Sequence, residues 1–236
     1  MNEKEIFLKV ENWLKNRMDI ALAHVIETWG SSPRPVGSMM VINNKNDIIG
    51  SVSGGCIESF VFAKSLEVIR NNNYQVLEFG VSNSQAWEVG LTCGGKIKVL
   101  VEKFSLKDLN IIKEINNIFE NQGSLTLATN LSTGSRKVVN NYNTMQDNPL
   151  KKANNGISCI QDINGVSWFY KVFSSQHRLI IIGAVHISEA LVELSNVLNF
   201  KTYLIDPRNN FDKNKFSNKA IILNEWPDEG LKKLGI

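Results

Sequence analysis

The spacing of apolar positions predicts helices and strands in mixed order over the first part of the chain. Apolar residues recur at helical spacing in residues 3–16, 57–70 and 106–119, which predicts three amphipathic helices. Short apolar runs bounded by turn residues predict strands at 20–29, 38–42, 48–52, 74–80, 96–102, 125–130 and 136–139. We therefore expect a mixed α+β domain over residues 1–139.

A polar, Asn-rich segment follows this domain, and its composition is typical of a long surface loop or linker. Asn164 and Gly165 then predict a tight turn between strands at 158–162 and 166–172, because Asn-Gly is the strongest short hairpin signal. We assign residues 140–176 to a linker followed by this hairpin.

The pattern changes again at residue 177. A strand, a helix and two strands follow one another, which is the opening of a doubly wound parallel sheet, at 178–182, 186–198, 201–205 and 219–223. We expect the helix to turn its apolar residues inward, namely Ala190, Leu191, Leu194 and Leu198. The succession is roughly half of a mononucleotide-binding domain. The fold class is therefore α/β, with an incomplete Rossmann-like parallel sheet over residues 177–236.

Composition narrows the compartment and the classes of partner. Apolar residues make up 43% of the 236 residues, which supports a packed core. The net charge of +3 calls for neither a nucleic acid nor a membrane surface, and no apolar run is long enough to span a membrane. The three cysteines form no CxxC pair, and the N-terminus lacks the apolar stretch of a signal peptide. We therefore expect free thiols and a cytoplasmic location.

Two glycine pairs, each next to a cysteine, are the strongest candidates for a binding site. One lies in the segment 53–56, before a predicted helix, and the other in 93–95, before a predicted strand. Consecutive glycines allow successive N–H groups to point at one ligand, and the start of a helix favours an anion. Glu58 lies in the first helical turn, where it is able to cap the helix. The alternative is that the glycines serve only a tight turn and that the cysteines are small buried residues, which is the interpretation we prefer for Cys159.

Arg34 is a second candidate because it lies between Pro33 and Pro35. The two prolines stiffen the loop and limit the positions that the arginine reaches. A guanidinium held in this way suits a phosphate or the edge of a pterin. The alternative is an exposed arginine in a rigid turn.

A damaged dinucleotide fingerprint begins at Gly183. The strand before it and Asp206 about 20 residues further on fit the pattern of an acid that binds a ribose. Val185 stands where the fingerprint requires glycine, so its side chain obstructs the approach to a pyrophosphate. We expect neither NAD nor FAD to bind. His24, in an apolar strand, is interpreted as a core histidine with its hydrogen bonds satisfied.

Three segments of the chain resemble motifs of the xanthine dehydrogenase accessory protein (XdhC/CoxI) family. They are GSSPRPVGSMMV, GSVSGGCIES and VGLTCGGKIKVLVE, and they occur in the family's order and at similar separations. RLIIIGAVHISEAL and LIDPRNNFDKNKF also resemble the start of the family's C-terminal Rossmann-like domain. The family has glycine where this chain has Val185, and its Rossmann half continues with further strands.

The resemblance implies a chaperone, rather than an enzyme, that binds molybdenum cofactor and assists its insertion into xanthine dehydrogenase or a related molybdenum hydroxylase. It implies as partners the apo hydroxylase and a cysteine desulfurase, and the open edge of a half-finished sheet favours a homo-oligomer. The motif residues implied to bind the cofactor are Arg34, Gly37, Ser53, Gly54, Gly55, Cys56, Glu58, Cys93, Gly94 and Gly95. Among them, Cys56 and Cys93 are the candidate contacts to molybdenum.

Two other functions stay open at this point. The Rossmann-like half favours a nicotinamide-dependent oxidoreductase, although Val185 and the missing strands count against it. The third hypothesis is a docking subunit that binds no small ligand.

Overall fold

The computed structural model describes residues 2–30, 32, 34–80, 95–121, 123–139, 156–175, 177–198, 200–208, 211–216 and 218–235. The chain divides into two compact units, Met1–Ser175 and Gln176–Ile236. Of the predicted site residues, Cys93 and Gly94 lie outside the described residues, as does most of the predicted linker at 140–155.

The first unit contains three helices and nine strands among its described residues. The helices are α1 (Glu3–Lys15), α2 (Glu58–Asn71) and α3 (Leu109–Glu120), with a 3-10 turn at Leu106–Asp108. The strands are β1 (Ile20–Trp29), β2 (Met39–Asn43), β3 (Ile48–Gly50), β4 (Tyr74–Phe79), β5 (Lys96–Phe104), β6 (Ser124–Asn130), β7 (Arg136–Val139), β8 (Cys159–Ile163) and β9 (Val166–Ser174).

Five of these strands form an antiparallel sheet in the order β3-β2-β1-β5-β4. Alternate residues of β1 face opposite sides, as the period of a strand requires. Ile20 and Leu22 join the core that contains residues of α1 and α3, and Ala21 and Ala23 join the core under α2. The central sheet is therefore covered on both faces, which explains why β1 is apolar almost without interruption.

The other four strands form an antiparallel sheet in the order β7-β6-β9-β8. The Asn164-Gly165 turn joins β8 to β9, with both residues at positive φ. β9 pairs along its length with β6, from Ser174 opposite Ser124 to Trp168 opposite Asn130. The predicted hairpin thus completes a sheet whose other strands come from before the polar segment, and it lies within the first unit.

The second unit is a three-stranded parallel sheet with helices, which confirms the predicted α/β class and the Rossmann-like succession. Its elements are β10 (Arg178–Ile182), α4 (His186–Val197), β11 (Lys201–Ile205), a 3-10 turn (Lys213–Lys215), β12 (Ile221–Leu223) and α5 (Pro227–Lys233). The strands lie in the order β10-β11-β12, and both pairs are parallel. The short helix α5 was not predicted from the sequence.

The orientation predicted for α4 is wrong. The helix buries Ser188, Val192 and Ser195, whereas its larger apolar residues lie at the surface. The small hydroxyl side chains hold this orientation by hydrogen bonds: Ser188 Oγ donates to the carbonyl of Gly183 at 2.6 Å, and Ser195 Oγ lies 2.6 Å from the Thr202 hydroxyl of β11. The inward prediction for Ala190, Leu191, Leu194 and Leu198 failed because these polar partners, and not apolar content alone, decide which side meets the sheet.

Candidate functional site

The strand order places the described parts of the three motif segments towards one end of the five-stranded sheet. β1 ends at Trp29, opposite Lys96, where β5 begins. β2 begins close to this end, and β3 leaves the sheet at Gly50, opposite Met40. The loop before β2, the turn after β3 and Gly95 before β5 therefore lie towards the same end of the sheet, with Gly50 at the level of Ala23 and Lys96 at the level of Trp29. That the three loops form one site stays a prediction, because Cys93 and Gly94 lie outside the described residues.

The turn between β3 and α2 is closed by the carboxylate of Glu58. This side chain accepts hydrogen bonds from the N–H groups of Ser53 (2.9 Å), Gly54 (2.9 Å) and Gly55 (2.8 Å). It also accepts from the Val52 N–H at 3.3 Å and from the hydroxyls of two serines, Ser51 (2.7 Å) and Ser53. The N–H groups that the glycine pair offers to an anion are thus bound to a carboxylate of the protein itself.

The electrostatics of Glu58 follow from this set of donors. Burial raises the pKa of the carboxyl, but the hydrogen bonds from Ser53, Ser51 and Gly55 lower it further than burial raises it, to about 2. The group is therefore ionised at all physiological pH values. Gly54 and Gly55 have φ of +82° and +125°, and a Cβ at either would meet no atom within 4 Å. These positions favour glycine because of backbone conformation, not for lack of space.

Cys56 follows the closed turn and is a half-buried free thiol. It packs against the apolar core under α2, and its N–H donates to Ser53 Oγ at 3.1 Å, as does the N–H of Ile57. Every backbone N–H from residue 52 to residue 57 therefore has an acceptor within the turn. The side chain of Cys56, rather than the backbone, is the group that the turn leaves available for a ligand.

Arg34 is exposed, and its guanidinium makes no ion pair with any residue that the structure describes. The loop that carries it is held where it enters β2: Gly37 N–H donates to the Val25 carbonyl at 2.8 Å. Gly37 has φ of +92°, and a Cβ there would lie 3.0 Å from Ser158 Oγ, a hydroxyl of the segment before β8. Gly37 is thus required for a close contact with the four-stranded sheet.

A cavity of about 880 Å³ lies beside this loop. Its apolar wall includes Ile26, Val36, Leu131 and Ile160, and Cys159 also borders it. The residues of the 53–58 turn do not line it, since that turn packs against α2 on the other face of the five-stranded sheet. The structure therefore places Val36 at the cavity and Cys56 away from it, and no sequence signal revealed the cavity.

No sequence pattern indicated the buried carboxyl in β5. Glu102 is almost fully buried, and burial raises its pKa to about 7, against the opposing influence of Arg136 and the hydroxyl of Thr129. Thr129 Oγ1 donates to it at 3.1 Å, whereas the Arg136 guanidinium lies at 3.8 Å and forms its close ion pair, at 2.7 Å, with Asp108. The sequence shows Glu102 as a single glutamate that follows a run of apolar residues in a predicted strand.

His24 is buried as predicted, but the prediction that its hydrogen bonds are satisfied is wrong. Neither ring nitrogen has a hydrogen-bond partner among the described residues. The ring packs against Phe169 with 5.7 Å between centroids. Burial, together with the charge of Lys171, lowers the pKa of His24 well below its ordinary value, so the ring is neutral.

The damaged fingerprint of the second unit also carries its own carboxylate. Asp206 is buried and accepts a hydrogen bond from the Ala184 N–H at 2.6 Å. Arg208 donates to both of its carboxylate oxygens, at 3.0 and 2.7 Å. The hydrogen bonds from Arg208 are the main reason why the pKa of Asp206 lies well below its ordinary range. The acid predicted to meet a ribose is therefore bound to Arg208.

The described residues contain no group of three or more His, Cys, Asp or Glu side chains placed to hold a metal ion. None of the helices that the structure describes is long and apolar enough to cross a membrane.

The mixed sheet domain, with its motif loops at one end, is similar to a known class of protein domain. Residues 13–80 match the model of the XdhC and CoxI family, a segment that contains both Arg34 and the Glu58 turn. The resemblance stated from the three motifs is thereby confirmed.

Two curated relatives extend this similarity. The chain is 30% identical over 82 residues to the molybdenum cofactor insertion chaperone PaoD of Escherichia coli, which covers 35% of this chain and 26% of that protein. It is 20% identical over 203 residues to a probable xanthine dehydrogenase subunit of Bacillus subtilis, covering 83% of this chain and 62% of the relative. The chain thus spans less than two thirds of the length of either protein.

A solved structure shares the fold. A crystal structure described as a xanthine dehydrogenase from Bacillus halodurans aligns with the whole of this chain and with 72% of its own, with a TM-score of 0.74 and 24% sequence identity.

Proposed function

We propose that the protein binds molybdenum cofactor at the loop end of the five-stranded sheet and assists its insertion into a xanthine dehydrogenase-like molybdenum hydroxylase. The observation that carries the proposal is that the Arg34 loop and the Glu58 turn both lie towards that end of the sheet, within the segment that matches the XdhC and CoxI family. The similarity to a molybdenum cofactor insertion chaperone supports the same role. The cofactor is cargo in this function and is passed on to the hydroxylase.

The free groups at this end suit an anionic pterin with a sulfur-ligated metal. Arg34, which forms no ion pair with a described residue, supplies a cation for the phosphate of the cofactor. A guanidinium binds phosphate through two parallel hydrogen bonds. Cys56 supplies a half-buried thiol, a soft ligand that suits molybdenum or its sulfur, and Cys93 is proposed for the same role. No described side chain needs to be displaced for Arg34 to act.

The other motif residues are proposed to hold these two groups in place. Glu58 and Ser53 close the turn that ends at Cys56, and Gly54 and Gly55 supply the backbone conformations that the closure needs. This assignment differs from direct binding by the glycine N–H groups, because Glu58 already occupies them. Gly37 sets the end of the Arg34 loop, and Gly94 and Gly95 are proposed to shape the third loop beside it.

The test is cofactor retention by the full chain. The purified protein is incubated with isolated molybdenum cofactor and desalted, and bound molybdenum and pterin are then measured. We expect stoichiometric retention by the wild type and a loss of about tenfold or more in affinity for Arg34→Gln, since a charge-assisted contact is worth about 1.5–3 kcal/mol.

The matched control is Arg70→Gln. Arg70 is also exposed, and it lies in the last turn of α2, remote from the loop end of the sheet. Retention equal to wild type in Arg34→Gln and Cys56→Ala alike, with both variants folded, would contradict the proposed site. Absence of binding by the wild type would contradict the function.

A further inference from the structure

The first unit has a polar cavity of about 310 Å³ at the end of the five-stranded sheet that lies away from the motif loops. Glu102, which lines this cavity, pairs with Leu22 near the start of β1, whereas the motif loops lie towards Trp29 at the other end of that strand. The cavity is therefore separate from the proposed cofactor site. Its wall also includes Tyr74, Asp108, Gly134 and Arg136.

The carboxyl of Glu102 is short of hydrogen-bond donors. Its side chain is only 3% exposed, and Thr129 is its one donor among the described residues. Burial raises the pKa of the carboxyl to about 7, because these few contacts do not compensate for the loss of water. A buried polar group that lines a cavity and has an oxygen without a described donor indicates a place for a ligand.

Arg136 supplies donors directly beside this acceptor. Its guanidinium is fixed by Nη2 on Asp108 at 2.7 Å, by Nη1 on the carbonyl of Lys103 at 2.9 Å, and by its packing 3.8 Å above the ring of Phe104. These bonds leave other N–H groups of the guanidinium without a described acceptor. Nη1 lies 3.8 Å from Glu102 Oε1. An acceptor and free donors therefore lie side by side in the cavity.

The aromatic part of the wall is held in place by a glycine. Gly134, in the turn between β6 and β7, has φ of +70°, and a Cβ there would lie 2.2 Å from a carbon of the Tyr74 ring. Tyr74 is the cross-strand partner of Glu102, so the two side chains share one face of the sheet. A fixed aromatic ring beside a few convergent polar groups is typical of a small-molecule site.

The charges around the cavity disfavour a simple ion. Arg136 is paired with Asp108, and Lys103 is paired with Asp19 at 2.8 Å. A metal cation at Glu102 would meet the neighbouring guanidinium, and a phosphate or carboxylate would meet the two carboxyls. The ligand that fits these groups is a neutral polar molecule.

We propose that this cavity binds a neutral heterocycle through a lactam edge, in which a ring N–H stands next to a ring carbonyl. The N–H donates to Glu102 and the carbonyl accepts from Arg136, so each bare group of the cavity gains its complement. The flat ring packs against Tyr74. Pyrimidinones, oxopurines and pterins share this edge on rings of different size. The proposal does not rest on the proposed function, because the cavity lies at the other end of the sheet.

The test is calorimetry on the full chain with uracil, hypoxanthine and pterin as probes, at pH 8, above the folded pKa of Glu102. We expect at least one probe to bind with a Kd below about 1 mM, and the tightest probe to identify the ring size that the cavity accepts. 1,3-Dimethyluracil and 1-methylhypoxanthine keep the rings but replace the N–H by a methyl group. Each is expected to bind at least about tenfold more weakly than its parent, since the donor to Glu102 is lost.

The matched variants are Glu102→Leu and Glu114→Leu, because Glu114 is an exposed glutamate of α3 that lies outside the cavity wall. Glu102→Leu removes the acceptor and fills its place, and we expect it to weaken the tightest probe at least about tenfold. Glu102→Gln keeps an oxygen acceptor and should bind more tightly than Glu102→Leu. Glu114→Leu should bind as the wild type does, and thermal melting checks that each variant is folded.

Three results would overturn the proposal. One is the absence of binding by all three probes at millimolar concentration. Another is equal affinity of the wild type for the parent and methylated rings, a comparison that needs no variant and so holds even if Glu102→Leu does not fold. The third is unchanged probe affinity in a folded Glu102→Leu. A purely structural role of Glu102 would alter the melting temperature but would not separate the parent rings from their methylated forms.

Discussion

Glu58, which is partly buried, and Glu102, which is buried, are carboxyls of the same unit whose pKa values are shifted in opposite directions. Glu58 closes a turn at the loop end of the sheet and accepts four backbone and two hydroxyl hydrogen bonds. Glu102 lies within β5 and accepts one close hydrogen bond, from Thr129. The pKa of the first is lowered to about 2 and that of the second is raised to about 7.

The comparison shows that the number of donors, and not burial alone, decides whether a carboxyl in this fold is charged. The turn supplies donors in quantity because its successive N–H groups point towards one carboxylate. β5 supplies none, because its backbone groups are used in pairing with β1 and β4. A negative charge is therefore built into the turn that ends at Cys56, whereas Glu102 changes its protonation near neutral pH.

Removal of the charge at the turn is expected to have the largest effect on stability. Glu58→Ala removes the acceptor of six hydrogen bonds, although the Gly54 N–H also donates to Ser51 Oγ at 3.0 Å. Water replaces part of the loss, because the turn is partly exposed. We expect a loss of about 2–4 kcal/mol in the free energy of unfolding, measured by urea denaturation at pH 7. Glu58→Gln is expected to lose less, since its carbonyl oxygen still accepts some of the bonds.

Glu67→Gln provides the control for this prediction, because Glu67 lies on the same helix and, among the described residues, forms its ion pair with the neighbouring Lys64. We expect its effect to stay within about 0.5 kcal/mol. Equal stability of Glu58→Ala and Glu67→Gln would show that the closed turn does not stabilise the fold.

The pH dependence of stability is expected to carry the signature of Glu102. Its folded pKa, about 7, lies above its ordinary value of 4.5, so the folded state holds the proton more tightly than the unfolded state. Stability from this group is complete below pH 4.5 and is lost as the pH rises through 7, by up to about 3 kcal/mol. Glu102→Gln removes the ionisable group. The stability of the variant relative to the wild type should therefore increase between pH 5 and pH 8.

Glu58 contributes with the opposite sign, because its folded pKa is lowered. Its stabilisation is present above pH 4.5 and is lost as the pH falls towards 2. The contributions of Glu58 and Glu102 are separated by measuring urea midpoints from pH 2 to pH 8. The proteins compared are the wild type, Glu102→Gln and the exposed control Glu114→Gln. Parallel curves for wild type and Glu102→Gln would mean that Glu102 is ionised in the folded protein at neutral pH.

Asp206 is an intermediate case and is expected to give the smallest effect. Its donors are two backbone N–H groups, of Ala184 and Arg208, and the exposed Arg208 guanidinium, so Asp206→Asn should cost about 1–2 kcal/mol. The same pairing supports our prediction that NAD and FAD bind weakly or not at all. Asp206 is already hydrogen-bonded to Arg208 and not to a ribose, and the side chain of Val185 obstructs the pyrophosphate. Calorimetry with the wild-type chain is the measurement, and micromolar affinity for either dinucleotide would contradict it.

The order and type of the elements were largely predictable from the sequence because they depend on neighbours along the chain. Periodicity located α1, β1 and α3 to within a residue or a few, and Asn164-Gly165 located the β8–β9 turn. Local hydrogen bonds and backbone propensities suffice for such predictions. The prediction that Glu58 caps α2 was wrong: the helix has no side-chain cap hydrogen bond, and Glu58 instead closes the turn before it.

Only the tertiary structure decided which surfaces meet. Apolar content predicted the wrong side of α4, because Ser195 finds its partner in Thr202 of another strand. The burial of Glu102 and the unsatisfied ring of His24 depend on residues far away in the sequence. Periodicity specifies that an element has two sides, but burial is a property of the neighbour that covers one of them, and long-range packing chooses that neighbour.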